Sequence, residues 1–381
     1  MKKDIVLPNY ENCILNTITS ILKYYNVETE DKSLEILDNK LKKKYKNIVL
    51  LVLDGLGENI LQIGLNNGYF MNNKICTLTS VYPSTTTAAL TTYYSGKPPY
   101  ETGWIAWSQY FKEYGRAIDM LSHMESYQRN DLSKAKIKVF EEVVNYETIF
   151  NRIEKASPNI KAYEITPTYS DKRANRSIRA DNIDEILENI KLLCSNDEEK
   201  FIMAYSDKPD QLLHENGTTS NKVKEFLQNT EKKIKDICEQ LGEDTLIIIS
   251  ADHGHKDIEK SYNLLDYPDI QECLIMPPSL ESRVVTFWVK ENMKKEFEER
   301  FKNIFQEEFW LMTKEDFLNK NFLGYGKKHP KVDDFIGNYI ALSTSGSMIK
   351  LETFLADGKK VKKSTHCGLS KEEMLVPLII L

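Results

Sequence analysis

Three short apolar runs in this chain each stop at an aspartate: NIVLLVLDG (Asn47–Gly55), KFIMAYSD (Lys200–Asp207) and DTLIIISADHG (Asp244–Gly254). They are continuous rather than alternating, so each suits a strand buried on both faces. Several such strands find that environment together in a parallel sheet covered by helices on both sides. IKAYEIT (Ile160–Thr166) reads as a fourth strand, and helical patterns over 182–194 and 220–241 lie between the runs. The alternation predicts an α/β fold with a mostly parallel central sheet, its functional residues at the carboxyl ends of the strands. Residues 11–45 read as helical, with Ile14, Ile18, Ile21 and Leu22 at helical spacing.

After Asp266 the pattern changes. RVVTFWVKENMKKEFEERFKNIF reads as a strand and then a charged helix, and GNYIALSTSGSMIKLETF as paired strands. The expected division is a core over 1–266, a smaller α+β lobe over 267–350, and a return to the core over 351–381, where LVPLIIL supplies a last strand. A net charge of -6 argues against a nucleic-acid polymer as partner. The longest apolar runs, IVLLVL and LVPLIIL, are too short to span a bilayer, so no membrane is expected. The start, MKKDIVLPNYENC, has no apolar stretch of the kind a secretion signal needs. Six cysteines without C-x-x-C spacing read as reduced thiols, which predicts a cytoplasmic protein.

The chemistry-bearing residues fall at the strand ends. Asp54 closes the first run and Asp252–His253 the third. PDQLLH places Asp210 and His214 four apart, on one face of a helical turn. THCG puts His366 in a loop before the last strand. Singly each has a mundane reading, as a turn or a solvated pair. Together, at the edge where α/β enzymes bind ligands, carboxylates and imidazoles suit a zinc or manganese site. The run SVYPSTTTAALTTYYSG sets Ser84, Thr85, Thr86 and Thr87 at the start of a helix, where hydroxyls ordinarily cap. DGLGENI is not a dinucleotide fingerprint, because Ile60 stands where the third glycine belongs, and no phosphate-binding G-x-x-x-x-G-K-[ST] occurs.

LVLDGLG, YPSTTTAALTTYYSG, PDQLLHENG, SADHGH and HCGLSKEEMLVPLI, in that order, give the chain its family likeness. It resembles the alkaline phosphatase superfamily, and within it the type I phosphodiesterase/nucleotide pyrophosphatase-like branch. The resemblance implies two divalent metal ions, zinc with manganese as the alternative. It implies that Asp54, Asp252 and His253 hold one ion together with the nucleophile, and that Asp210, His214 and His366 hold the other. It makes Thr86 the nucleophile, passing through a phospho-threonine intermediate. Three aspartates, two divalent ions and a threonine alkoxide then sum to zero charge, which suits an anionic phosphoryl group. The branch usually carries an Asn after the nucleophile helix to bind a phosphoryl oxygen, and here Trp107 or Ser108 stands there. His255 has no role by resemblance, and His123 and His329 read as structural or surface residues.

The implied function is hydrolysis of phosphodiester or pyrophosphate bonds in a nucleotide-like small molecule. A phosphomonoesterase or phosphomutase of the same superfamily is the alternative. A sulfatase lacks support, since no Cys/Ser-x-Pro-x-Arg signature occurs at the nucleophile. No Lys or Arg lies between Lys74 and Lys97, whereas Tyr82, Tyr93, Tyr94, Trp104 and Trp107 surround Thr86 in sequence. Those rings are expected to cover a diester's second substituent. The basic stretch SDKRANRSIR, with Lys172, Arg173, Arg176 and Arg179, reads as a solvated face. The sequence carries no signal for oligomeric state.

Overall fold

The structure is a computed structural model and describes residues 4–127, 130–132, 139–351 and 361–381. Part of the 351–381 return segment, residues 352–360, lies outside the described residues. Seven strands form the central sheet: β1 (Asn47–Leu53), β2 (Lys74–Thr79), β3 (Lys161–Thr166), β4 (Arg176–Arg179), β5 (Lys200–Ser206), β6 (Thr245–Ser250) and β7 (Leu375–Ile380). Their order is β2-β7-β6-β1-β5-β3-β4. β1 lies parallel between β5 and β6, with Val52 opposite Tyr205 and Ser250. Every residue of β1 and β5 is buried, which is why those runs carry no polar alternation. β7 alone runs antiparallel to its neighbours β2 and β6.

Helices Ile183–Cys194 and Asn221–Cys238 cover the sheet with apolar faces that include Ile186, Ile190, Leu227 and Ile234. Asn182 caps the first by accepting from the Glu185 N–H at 3.0 Å. The expected helix over 11–45 is broken in two, Ile14–Tyr24 and Glu35–Lys40. Asn26 takes a left-handed φ of 59°, Val27 N–H reaches back to the Leu22 carbonyl and Asn26 N–H to that of Lys23. That is a Schellman ending, and it turns the chain. Among the described residues no helix is long and apolar enough to cross a membrane.

A second sheet of seven antiparallel strands joins Phe309–Thr313, Tyr339–Ser343, Val284–Phe287, Ser279–Leu280, Ser108–Phe111, Arg116–Asp119 and Met124–Glu125. Segment 108–125, counted with the core in sequence, thus shares its sheet with the 267–350 segment. Helix Lys294–Phe305 packs Phe297, Phe301 and Phe305 on this sheet, with the Phe297 and Phe287 rings 5.3 Å apart. GNYIALSTSGSMIK does form two strands, but they do not pair together. Tyr339–Ser343 stays in the sheet, while Ser347–Lys350 pairs in parallel with Lys260–Asn263. The intervening turn is held by the buried Arg283 guanidinium, which donates to the Ser345 and Ser347 carbonyls.

Arg283 also meets Glu373 in a fully buried bidentate pair, Nε to Oε1 at 2.6 Å and Nη2 to Oε2 at 2.7 Å. Gly368 N–H and the Ser370 hydroxyl complete the Glu373 carboxylate at 2.7 and 2.6 Å. The antiparallel sheet is thereby tied to the loop that precedes β7. Removing one partner strands a buried charge, so Glu373→Ala should cost about 3–5 kcal/mol. Urea unfolding of the purified variant measures this. A loss under about 1 kcal/mol, the size of an ordinary substitution, would mean that the pair does not hold the loop.

Candidate active site

The functional side chains collect at one edge of the central sheet, and topology puts them there. Asp54 follows β1, Asp210 lies just past β5, and Asp252 and His253 follow β6. β2 leads into helix Thr86–Ser95. Because β7 is reversed, the loop before it, with His366, reaches the same edge. Backbone bonds fix the register of this rim: Asp54 N–H to Ser206 O at 3.0 Å and Asp210 N–H to Asp54 O at 2.8 Å. Gly254 lets the rim close, since a Cβ there would lie 2.0 Å from the Glu372 carbonyl oxygen. Both Asp252 and His253 lie beyond the last residue of β6, which frees two sequence neighbours to point into one site.

Thr86 is the first residue of its helix, whose ten residues are all buried. Its N-cap residue, Thr85, makes no side-chain cap. Ser84 donates to the Gly368 carbonyl at 3.2 Å and Thr85 to Glu281 Oε1 at 2.7 Å, while Thr87 Oγ1 is buried without a partner. Thr86 Oγ1 faces His253 Nε2 at 3.2 Å and Asp54 Oδ2 at 3.5 Å. His253 Nε2 lies 3.3 Å from both Asp54 Oδ1 and Asp252 Oδ2. The Tyr205 hydroxyl donates to Asp54 Oδ2, and Asp252 Oδ1 accepts from the N–H groups of Gly55 and His253. Asp54 Oδ1 and Asp252 Oδ2 are buried and have no hydrogen-bond donor.

The second group centres on Asp210 Oδ1. His214 Nε2 lies 3.4 Å from it, His366 Nε2 3.6 Å and His255 Nε2 2.6 Å. His255, to which the sequence reading gave no role, is therefore inside the cluster. The alternation of histidines around Gly254 in DHGH was the available signal. His253 and His366 stack with ring centroids 3.6 Å apart, linking the two groups. The Nδ1 atoms of His214, His253 and His366 face the carbonyls of Ser364, Gly254 and Ser84 at 2.7, 3.1 and 3.1 Å. A carbonyl only accepts, so each Nδ1 carries the proton and each Nε2 is left to accept, those of His253 and His366 facing the carboxylates and that of His214 shared between Asp210 and the Lys362 ammonium. Bare imidazole nitrogens and donorless carboxylate oxygens are what a divalent cation requires, so these residues fit the ions that the family likeness implies.

Electrostatics agree. Burial, then Asp252 and Asp210, push the Asp54 carboxyl well above the usual carboxylate range. Burial would raise Asp210 too, but His214 and His255 outweigh it and hold that carboxyl well below the range. Burial presses His214 down to about 3 and, with His253, lowers His366. Burial thus favours the neutral imidazole that binds metal, while Asp210 works the other way and favours charge on the rings around it.

The surroundings depart from expectation. Tyr82, Tyr93 and Trp104 are fully buried in the hydrophobic cores and Tyr94 nearly so. Of the five aromatics near Thr86 in sequence, only Trp107 is exposed, at 38%. The exposed ring that sequence reasoning missed is Tyr169, 67% accessible, whose hydroxyl donates to Asp207 Oδ2 at 3.0 Å. Burial and then Asp207 raise its phenol, with Asp54 and Asp210 contributing. Trp107 N–H donates to Glu281 Oε1 at 2.7 Å, and the Ser108 hydroxyl meets that of Ser126 at 2.6 Å. The SDKRANRSIR arginines are engaged elsewhere: Arg173 with Asp171 and the Phe140 ring, Arg176 with Glu154, Arg179 with the Pro167 carbonyl. A different cation reaches the site, Lys362, its Nζ 3.2 Å from His214 Nε2. His123 pairs with Asp171, and His329 Nδ1 accepts from Lys331 N–H, both outside the cluster.

Comparisons with known proteins follow this geometry. Murine ectonucleotide pyrophosphatase/phosphodiesterase 5 is 15% identical, with 87% of each chain covered and a TM-score of 0.64. An inactive Thr-to-Ala variant of that murine enzyme, in complex with AMP, matches with the same TM-score of 0.64 and identity of 15%, over 88% of this chain and 87% of that one. Phosphonoacetate hydrolase from Sinorhizobium meliloti 1021, in complex with phosphonoformate, is 16% identical over 87% of this chain and 89% of that one, with a TM-score of 0.61. At these identities the likeness shows the fold. No curated protein sequence matches. The sequence model of the type I phosphodiesterase/nucleotide pyrophosphatase family matches residues 48–349, and the chain belongs to that family, within the alkaline phosphatase superfamily.

Proposed function

We propose that this protein is a two-metal hydrolase that cleaves a phosphodiester or pyrophosphate bond in a nucleotide-like small molecule, with Thr86 as nucleophile. The observation that carries the reading is the Thr86 hydroxyl, 3.2 Å from His253 Nε2 and 3.5 Å from Asp54 Oδ2, at the start of a buried helix. Its neighbours Ser84 and Thr85 are held by other partners. The murine relative made inactive by a Thr-to-Ala change supports the same assignment. Asp54, Asp252 and His253 would hold one ion beside Thr86, and Asp210, His214 and His366 the other. When bound, two divalent ions supply the positive charge that stabilises an alkoxide and offsets charge on the phosphoryl and leaving oxygens.

The Thr86 hydroxyl gives its proton to solvent as its oxygen attacks phosphorus, the bond to the leaving oxygen breaks, and that oxygen takes a proton from solvent. Water then attacks the phospho-threonine, releasing the phosphorylated product and restoring the hydroxyl. The helix N-terminus favours negative charge at Thr86 throughout. Tyr169 and Trp107 offer exposed rings to a flat substituent. The monoesterase or mutase reading is favoured by one observation, the Lys362 ammonium at the second group, since a dianion needs such a donor. The six cysteines are free thiols, which supports a cytoplasmic placement.

Protein purified without chelator should contain two zinc ions per chain by elemental analysis. Finding no transition metal, and no gain of activity with zinc or manganese, would sink the two-metal reading. Thr86→Ala should lower turnover on bis-p-nitrophenyl phosphate by about two orders of magnitude or more. Thr85→Ala, which loses one hydrogen bond to Glu281, should cost about 1 kcal/mol of stability and far less turnover. The reverse pattern would move the nucleophile by one position. On matched substrates, kcat/KM should favour the diester over the monoester, and Lys362→Ala should depress monoester hydrolysis more. A clear monoester preference in the unaltered enzyme selects the phosphatase or mutase reading.

A further inference from the structure

The Thr85 hydroxyl and the Trp107 N–H both donate to Glu281 Oε1, each at 2.7 Å. Both bonds fall on Oε1, which leaves Oε2 for a ligand. Thr85 precedes Thr86, so this carboxylate stands one residue from the proposed nucleophile. Glu281 also lines a cavity of about 270 Å³, whose walls include residues of the strands Ser108–Phe111, Arg116–Asp119, Ser279–Leu280 and Ser347–Lys350. Glu281 is thus the wall that this cavity shares with the surroundings of Thr86.

Four serines line the cavity, Ser108, Ser126, Ser279 and Ser282. The Ser126 hydroxyl donates its one hydrogen to Asp119 Oδ1 at 2.7 Å. Ser108 Oγ, 2.6 Å from Ser126 Oγ, must therefore donate to it and keeps lone pairs to accept with. Ser279 is only 7% exposed, and its hydroxyl has no hydrogen-bond partner among the described residues. A buried hydroxyl left unpaired is costly, and a polar ligand in the cavity would supply its partner. Asp119, Glu281 and Lys350 bring two carboxylates and one ammonium to the walls. That net negative balance turns away a second anion, while the mixture of donors and acceptors suits a neutral group that does both.

We propose that this cavity is the subsite for the substrate's second substituent, and that the substituent is a neutral polyol of sugar size whose hydroxyls bind Glu281 Oε2 and Ser279 Oγ. The inference rests on the hydrolase reading above and names the group carried by the phosphorus that Thr86 attacks. Glu281 then joins recognition to chemistry, since the carboxylate that receives the polyol also holds Thr85 beside Thr86.

Two p-nitrophenyl phosphodiesters with the same leaving group test this. One carries a hexose through its 6-hydroxyl. The other carries cyclohexylmethanol, a similar ring without hydroxyls. Unaltered enzyme supplied with zinc should favour the hexose ester by about tenfold or more in kcat/KM, as expected for hydrogen bonds that include one to a charged group. In Glu281→Gln the amide oxygen can keep the bonds from Thr85 and Trp107, while a nitrogen that only donates replaces Oε2. The preference should then fall about tenfold, a change that a merely structural Glu281 would not produce. Ser279→Ala removes a hydroxyl that bonds to nothing among the described residues and should lower the preference about threefold. Should Glu281→Gln fail to fold by circular dichroism, Ser279→Ala decides. Equal kcat/KM for the two esters in the unaltered enzyme would overturn the subsite, and so would a preference that the folded variants leave unaltered. Hydrolysis of neither ester, with zinc or manganese added, would bring down the hydrolase reading and the subsite with it, a result distinct from equal rates.

Discussion

Negative charge gathered at one buried rim is the constraint on which the rest of this structure depends. Asp54 and Asp252 bring carboxylate oxygens within 4.8 Å of each other, with donorless oxygens on both. At that spacing and an effective dielectric of about 20, two carboxylates repel by about 3 kcal/mol. That is a large part of the about 5–15 kcal/mol by which a domain is stable. The sheet forces the arrangement, because the register of β1 against β5 and β6 fixes where each aspartate emerges. The raised Asp54 carboxyl expresses this strain, and the bare imidazole nitrogens point to its relief by cations.

Bringing His366 to the same rim requires the last strand to run backward, and a backward strand needs its preceding loop held. The Arg283–Glu373 pair does this from the antiparallel sheet. Glu373 accepts from Gly368 and Ser370, and Gly254 N–H donates to the Glu373 carbonyl at 2.8 Å. One residue therefore touches the loop of His366, the turn after His253 and the second sheet. Buried Arg–carboxylate pairs are weak sources of stability but fix geometry well when fully hydrogen-bonded, as here.

What was legible in the sequence is what local chemistry determines. Fully apolar runs ending in aspartate declare buried parallel strands and their functional ends, and the fold class follows. The helix that begins at Thr86 and the Asp210–His214 turn were likewise visible, being contained in single short motifs. Proximity in sequence misled where direction in space mattered. Tyr93 is seven residues beyond Thr86, which on a helix is about 10 Å along the axis, and it ends in the core with its hydroxyl on the Ala251 carbonyl. Lys362, Tyr169 and Glu281 reach the site from distant segments, which no spacing rule reveals. The antiparallel sheet was unreadable for the same reason, since its strands come from both 108–125 and 279–343.

The two groups at the rim differ in how they are supported. The first rests on β1 and β6 in the middle of the central sheet. The second is organised by a ribbon of two short strands, Lys256–Asp257 and Ser364–Thr365, paired antiparallel. His255 precedes one strand and His366 follows the other. Ser364 holds His214 with its carbonyl and His255 with its hydroxyl. Lys363 N–H bonds the His214 carbonyl at 2.8 Å, tying the ribbon to the Asp210–Asn216 helix. Two imidazoles, His214 and His255, thus take their orientation from one residue of this ladder. Local openings cost less where fewer backbone bonds must break, so the ribbon is the element that can loosen while the central sheet stays intact. An ion held by ligands of this group would close that weak point.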